Sequence, residues 1–504
     1  MNLDHASLPS FEPILLDLYH YAFHAGIDAL QERGLLRADS ELPSVLRNNP
    51  SAARRFFRGC HYGFDLTQRK VGKLVIEYET LAKGYRAKLK QARRDRNISE
   101  IEAITDVLEC LLRRQLILRR LIDSILWQMV SQEPWLLRRT QVFDSVSPID
   151  SIVLEKTLAT AGQLNRENRK CIHIVSDLTT AVQIGDLVRL CVDSNPRRWE
   201  IIELKEGRVN DALLGLIGQS AVSKENLDLD RIEESLGQKS VSQVRRMLRQ
   251  KDREEAIENF RTTDKGIDPL TKEIVELSPE SVEVVDYFDR LKRSCSVAKQ
   301  SGASAFVVDG CLRVMVVSDS FYSVQGRNGI AHNFYHWRYK GTTCKLSVAE
   351  ERESEIEAIG KIWPFLDLME ANLGAQWPAP LFMWPMPKAL IFDFALGRLR
   401  AFAQLDFEQL FSLAAVHGME LSWLSQKETK GVVSRSQVIP GSPHSRGVLA
   451  KMPSVSKHGS MQLMIGSFAR LFLELMTPRH LLKMTEDSLR RLEHQAQLQE
   501  ESGT

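Results

Sequence analysis

The chain has 504 residues, of which 43% are hydrophobic and 26% are charged, and its net charge is only +2. This composition is typical of a globular protein and excludes a highly charged disordered chain. Because the overall charge favours no class of partner, a nucleic-acid surface must come from local clusters of basic residues. At roughly 100–200 residues per domain, we expect two to four domains.

The cysteines and the hydropathy of the sequence indicate the cellular compartment of the protein. The chain has seven cysteines with no C-x-x-C pair, which predicts buried reduced thiols rather than a zinc ribbon. The N-terminus lacks a basic stretch followed by an apolar core, and no apolar run reaches about 18 residues. We therefore predict a cytoplasmic protein with neither a signal peptide nor a membrane partner.

Residues 1–145 are predicted to form an N-terminal helical region. Apolar residues recur at three- and four-residue steps in VGKLVIEYETLAKGYRAKLKQARRDR and in ISEIEAITDVLECLLRRQLILRRLIDSILWQMV, which is typical of amphipathic helices. We expect two long helices packed as a hairpin or small bundle. Ser99 is placed to open the second helix in a capping box.

The pattern changes in residues 146–320. We expect a helix at about 150–163, capped by Asp150 or Ser151, then strands, strongly charged helices, and one or two further strands near 304–317. The first strands are predicted at about 171–176, 184–193 and 198–206. Residues 321–504 are predicted to be a mixed α/β region of unknown role. In that region ALIFDFALGRLRAF is expected to form a hairpin turning at Gly397, and FEQLFSLAAVHG a helix ending at Gly418.

Three polar residues on the predicted hairpin IGDLVRLCVDSNPRRWEIIELKEG carry the functional argument. Alternate side chains of a strand share a face, which places Glu203 and Lys205 on the same side of the sheet. A turn centred between Ser194 and Asn195 places Asp186 directly opposite Glu203. Two facing carboxylates repel each other, and a divalent cation such as Mg²⁺ or Mn²⁺ relieves that repulsion. Lys205 beside such an ion would orient water or stabilise a charged transition state, as a phosphodiesterase requires.

An acidic residue opening one strand and a Glu-x-Lys on the next resemble the PD-(D/E)xK superfamily of restriction-endonuclease-like nucleases. The resemblance implies a central αβββαβ core within residues 146–320, with Asp186, Glu203 and Lys205 as the catalytic residues. It also implies a third carboxylate of the metal site in the preceding helix, for which Glu155 is the best match. One departure is that Gly185, rather than proline, precedes Asp186.

Clusters of basic residues provide candidate contacts to a nucleic-acid backbone. They lie in KGYRAKLKQARRDR, LLRRQLILRR and QVRRMLRQKDR, where helical arginines can form stripes that follow phosphates. The residues we single out are Arg93, Arg94, Arg245, Arg246, Arg249 and the neighbouring Gln250. Gln250 also matches a glutamine that some members of the superfamily carry in a later helix. For each cluster, a solvated helix face is the alternative.

Together these features predict a mixed α/β protein whose central domain is a metal-dependent nuclease acting on DNA, with RNA as the alternative substrate. Analogy with the superfamily suggests bacterial defence or repair as its context. The alternative is a non-catalytic nucleic-acid-binding or scaffold protein with a degenerate nuclease fold.

Overall fold

The computed structural model divides into two compact units, one of Leu3–Glu280 and the other of Ser281–Thr504 with the first two residues. The three regions that we drew from the sequence use other boundaries and stay predictions. The residues that the structure describes are 3, 8–36, 41–130, 149–182, 185–191, 198–202, 204, 259, 265–267, 274–276, 285–340, 366–374, 379–424, 448–452, 460–463 and 465–502.

Long helices dominate the described part of the first unit. They are α1 (Phe11–Gln31), α2 (Leu42–Asn48), α3 (Pro50–Asp95), α4 (Ile98–Met129) and α5 (Ser151–Glu167). Helices α3 and α4 form the predicted hairpin, and α1 packs along α3. Small residues allow this close approach, because a Cβ added at Gly59 would lie 2.6 Å from the carbonyl oxygen of Ala25.

The predicted cap of α5 is confirmed, whereas the predicted cap of α4 is wrong. Asp150 caps α5, since its Oδ1 accepts the N–H groups of Ile152 (2.9 Å) and Val153 (3.3 Å). Helix α4 begins earlier than predicted. Its cap is Asn97 rather than Ser99, and the Asn97 amide donates to the Glu100 carboxylate at 3.0 Å while its oxygen accepts the Glu100 N–H at 3.3 Å.

Three strands follow α5 and form an antiparallel meander in the order β1-β2-β3. They are β1 (Cys171–Val175), β2 (Leu187–Cys191) and β3 (Arg198–Ile202). A separate two-stranded sheet joins β4 (Lys265–Ile267) to β5 (Ile274–Glu276). The predicted helix and three strands of the central region are therefore present, in the predicted order.

The second unit is mixed. Its helices are α6 (Phe288–Ser301), α7 (Asp319–Lys340, interrupted at Gly326), α8 (Leu368–Gly374), α9 (Lys388–Ala395), α10 (Phe407–Val416), α11 (Ile465–Leu473) and α12 (Pro478–Ser502). Its strands are β6 (Ala303–Val308), β7 (Leu312–Ser318), β8 (Leu366–Asp367), β9 (Leu399–Leu405), β10 (Glu420–Trp423), β11 (Val448–Lys451) and β12 (Ser460–Leu463).

These strands form two antiparallel sheets, β6-β7-β9-β8 and β10-β11-β12. Met315, Val317 and Phe402 of the larger sheet pack with Ile330 of α7 in a hydrophobic core. Gly418 follows α10 as predicted. The predicted hairpin at Gly397 is wrong, because α9 precedes that glycine and only the following β9 is a strand.

The described residues thus confirm a mixed and mostly helical fold, but not a restriction-endonuclease-like core. The strand predicted near 304–317 to complete that core is the hairpin β6–β7, and it belongs to a different sheet from β1-β2-β3. Within the described ranges, no helix is long and apolar enough to cross a membrane.

Candidate active site

The pairing of β2 with β3 has the register that we predicted. Leu187 stands opposite Ile202, and each further step keeps the same offset to Cys191 opposite Arg198. That offset corresponds to a turn centred between Ser194 and Asn195. The pairing ends with Leu187 and Ile202, which are the chain neighbours of Asp186 and Glu203.

Asp186 lies at the sheet end where β2 begins, and both its backbone and its side chain are engaged there. Its N–H donates to the carbonyl oxygen of Ile202 at 2.9 Å, and its carbonyl oxygen accepts the N–H of Ser176 at 2.9 Å. Its carboxylate oxygen Oδ2 accepts the N–H of Leu204 at 2.6 Å. The partly exposed carboxylate therefore contacts the backbone of the residue that separates Glu203 from Lys205.

The backbone conformation explains why a glycine precedes Asp186. Gly185 has a φ of 70°, whereas the ring of proline holds φ near about −65°. A Cβ at this position would also collide with the side chain of Ile201. The departure from the superfamily pattern thus follows from the sharp bend that leads into β2.

Most of the other predicted site residues lie outside the described residues. These are Glu203, Lys205, Arg245, Arg246, Arg249 and Gln250. Glu155 lies on an exposed part of α5, and within the described ranges it makes no hydrogen bond or ion pair with Asp186. Arg93 and Arg94 are exposed in the last turn of α3. The structure therefore brings Asp186 to Leu204, and no group of three metal-binding side chains occurs among the described residues.

A buried polar network that sequence reasoning missed holds the connection between β1 and β2. Asp123 of α4 is fully buried and accepts hydrogen bonds from the Thr180 N–H (2.9 Å), the Thr180 hydroxyl (2.6 Å) and the Ala181 N–H (3.2 Å). Arg120 forms a fully buried ion pair with Asp123 at 3.0 Å. The network fixes the segment that leads into Asp186.

Arg119 extends this network. Its guanidinium donates to the Thr179 carbonyl oxygen at 2.7 and 3.2 Å. Burial lowers the pKa of Arg119 to about 10, against the opposing effect of the Asp123 and Asp177 carboxylates. The prediction that the arginines of LLRRQLILRR follow phosphates is wrong, because Arg113, Arg114, Arg119 and Arg120 are all buried. Only the tertiary fold distinguishes these arginines from solvated ones.

Side-chain amides seal the outer edge of β1. The Gln68 oxygen accepts the Val175 N–H at 2.7 Å, and the Gln68 amide donates to the His173 carbonyl oxygen at 3.0 Å. The Asn165 oxygen accepts the His173 N–H at 2.7 Å. Burial, followed by the nearby Arg189 and His61, lowers the pKa of His173 to about 4. Helices α3 and α5 thus fix β1, the strand with which β2 pairs.

The cysteines differ from the sequence-based expectation. Cys171 and Cys191, which stand opposite each other on β1 and β2, form a disulfide. The expectation of reduced thiols throughout is therefore wrong for this pair. The free cysteines among the described residues are Cys60, Cys110, Cys295 and Cys311. Burial raises the pKa of Cys60, Cys295 and Cys311 to about 12, which leaves them unreactive.

Comparison with protein-family models, with curated proteins and with solved structures finds no match for this chain. Its function must therefore be argued from its own residues.

Proposed function

We propose that the chain is a Mg²⁺-dependent nuclease that hydrolyses phosphodiester bonds of DNA. The observation that carries the proposal is the hydrogen bond from the Leu204 N–H to the Asp186 carboxylate, in the register predicted for a metal-binding hairpin. Because directly opposed residues of an antiparallel pair share a face, continuing this register would set Asp186 and Glu203 side by side.

The oxygen donors of this arrangement suit a hard divalent cation. Asp186 is partly exposed, and its carboxylate accepts the Leu204 N–H through Oδ2. Carboxylates and water are the ligands that Mg²⁺ prefers in proteins. We assign the binding of the cation to Asp186 and Glu203, with Mn²⁺ as a substitute and Glu155 as a weaker third candidate.

Each residue has a distinct part in the proposed reaction. A divalent cation held by Asp186 and Glu203 would supply Lewis acidity for the phosphate oxygens and for a coordinated water. Lys205 would orient the attacking water and stabilise the negative charge that develops on the phosphate. Arg93 and Arg94 remain candidate contacts to the nucleic-acid backbone.

A cleavage assay with matched variants tests the proposal. Plasmid and linear DNA are incubated with the full chain and Mg²⁺ or Mn²⁺, with EDTA as the metal-free control. We expect Asp186→Ala and Lys205→Ala to abolish cleavage while the circular dichroism spectrum is unchanged. Glu200→Gln is the matched control, because Glu200 lies on β3 and its carboxylate pairs with Arg189 at 2.8 Å.

Cleavage that persists in Lys205→Ala, or is equally lost in Glu200→Gln, contradicts the assigned roles. The alternative is a non-catalytic nucleic-acid-binding protein in which Asp186 serves only to hold Leu204. It is favoured if the wild-type chain binds DNA but does not cleave it with either metal.

A further inference from the structure

The last turns of α3 carry a stripe of cations along one flank. Its members are Lys83, Arg86, Lys90, Arg93 and Arg94, and all five are exposed. At about 100° per residue they fall within an arc of about 100°, and at about 1.5 Å per residue they span about 16 Å. Together with Leu89, four of them line a shallow groove.

Among the described residues, one acidic side chain pairs with a cation of this stripe. Arg86 pairs with Glu79 at 2.8 Å. Within the part of the chain that the structure describes, the side chains of Lys83, Lys90, Arg93 and Arg94 form no ion pair or hydrogen bond. A solvated helix face usually alternates charges at i and i+4, whereas in residues 83–96 the single acid, Asp95, is bound by the amide of Gln91. Like charges at this spacing repel each other, so that an anionic partner would stabilise them.

The neighbouring arm of the hairpin has the opposite charge. Residues 98–112 of α4 contain Glu100, Glu102, Asp106 and Glu109 and no basic residue. These carboxylates are exposed, while Ile104, Val107 and Leu111 on another side of the helix are buried. The end of the hairpin is therefore polarised, with cations on a flank of α3 and carboxylates on the outside of α4.

We infer that the α3 stripe binds the phosphodiester backbone of DNA. A rod-shaped polyanion can lie along the flank of α3, whereas a flat anionic lipid surface at this end of the hairpin would also meet the carboxylates of α4. A duplex presents a phosphate on each strand about every 3.4 Å, so that about 16 Å of its axis offers roughly five phosphates per strand to five cations. The choice of DNA rests on the proposed nuclease function, but the surface is defined independently of the metal site.

The test measures binding without catalysis. The full chain, in EDTA, is titrated into a fluorescein-labelled DNA duplex, and anisotropy gives Kd at several salt concentrations. Five phosphate contacts predict a slope of log K against log salt of about −4.5, or about a 500-fold loss of affinity between about 50 and 200 mM salt.

Two double variants with the same change of net charge are compared. Lys90→Glu with Arg94→Glu removes two stripe contacts, which reduces the slope by about 2 and weakens binding by about 60-fold near 0.1 M salt. Arg58→Glu with Lys73→Glu is the control, because both residues are exposed on α3 and lie at least about 15 Å along the helix from the stripe, at about 1.5 Å per residue. We expect the control to change Kd by less than about threefold, since distant surface charges are largely screened.

Equal weakening by the two double variants, or by neither, overturns the inference. It is also overturned if the wild type binds vesicles containing phosphatidylserine but not the duplex, or if the stripe variant abolishes a dimer seen in light scattering instead of DNA binding. The outcome is independent of the proposed catalysis: Asp186→Ala should bind the duplex like the wild type. If the wild type cleaves DNA and the stripe variant binds it as well as the wild type does, the inference about the stripe is refuted and the proposed nuclease function is not.

Discussion

Removal of the Asp123 carboxylate should destabilise the first unit strongly. Asp123 is 0% exposed and accepts four hydrogen bonds, one of them from the buried Arg120. Breaking a buried ion pair from one side costs about 3–5 kcal/mol, and a backbone donor left without a partner adds about 1–3 kcal/mol. We therefore expect Asp123→Ala to lower the free energy of unfolding by at least about 4 kcal/mol, a large share of a typical domain stability of about 5–15 kcal/mol.

The loss of stability should also appear as local opening around Asp123 under conditions in which the rest of the chain stays folded. Thr180 and Ala181 lie in the connection from β1 to Asp186, so that hydrogen exchange of residues 176–182 should accelerate in the variant under native conditions. Urea unfolding followed by far-ultraviolet circular dichroism gives the free energy, and hydrogen-exchange mass spectrometry gives the location.

Two variants control this experiment. Asp106→Ala changes an exposed carboxylate on the same helix and should stay within about 0.5 kcal/mol of the wild type. Arg120→Met combined with Asp123→Ala should lose less than Asp123→Ala alone, because the buried Arg120 charge is removed together with its partner. A loss below about 1 kcal/mol in Asp123→Ala, or unchanged exchange in residues 176–182, would refute the reasoning.

Three further predictions concern the sheet that carries Asp186. Gly185 has a φ of 70°, and a Cβ at this position would collide with Ile201, so that Gly185→Ala should lower the free energy of unfolding by about 2 kcal/mol. Gly84 has open space around it, and Gly84→Ala should be neutral or stabilising in the same urea assay. Burial lowers the pKa of His173 from 6.5 to about 4, so that the unfolded chain binds the proton first and stability is lost as the pH falls from 6.5 to about 4; His173→Gln should remove about 3 kcal/mol of this acid dependence, and an unchanged pH profile contradicts the assignment. Peptide mapping without reductant should find Cys171 linked to Cys191, and Cys191→Ser should cost about 3 kcal/mol for a loop of this length, whereas free alkylation of both thiols in the native protein contradicts the disulfide.

The sequence by itself determined the local features of this chain. The three- and four-residue apolar steps predicted the long helices α3 and α4, and Asp150 predicted the start of α5, because capping and amphipathic patterns depend on residues a few positions apart. The register of β2 with β3 followed from the centre of one turn and the period of a strand. For the same reason, the approach of Asp186 to Leu204 was foreseeable.

The tertiary structure alone decided the features that depend on distant residues. Arg119 and Arg120 have the same sequence pattern as exposed arginines, and only the packing of α4 against the connection between β1 and β2 buries them. The sheet to which β6 and β7 belong, and the pairing of Cys171 with Cys191, depend on which strands meet in space. Such contacts are fixed by the burial of whole faces, which no short stretch of sequence specifies.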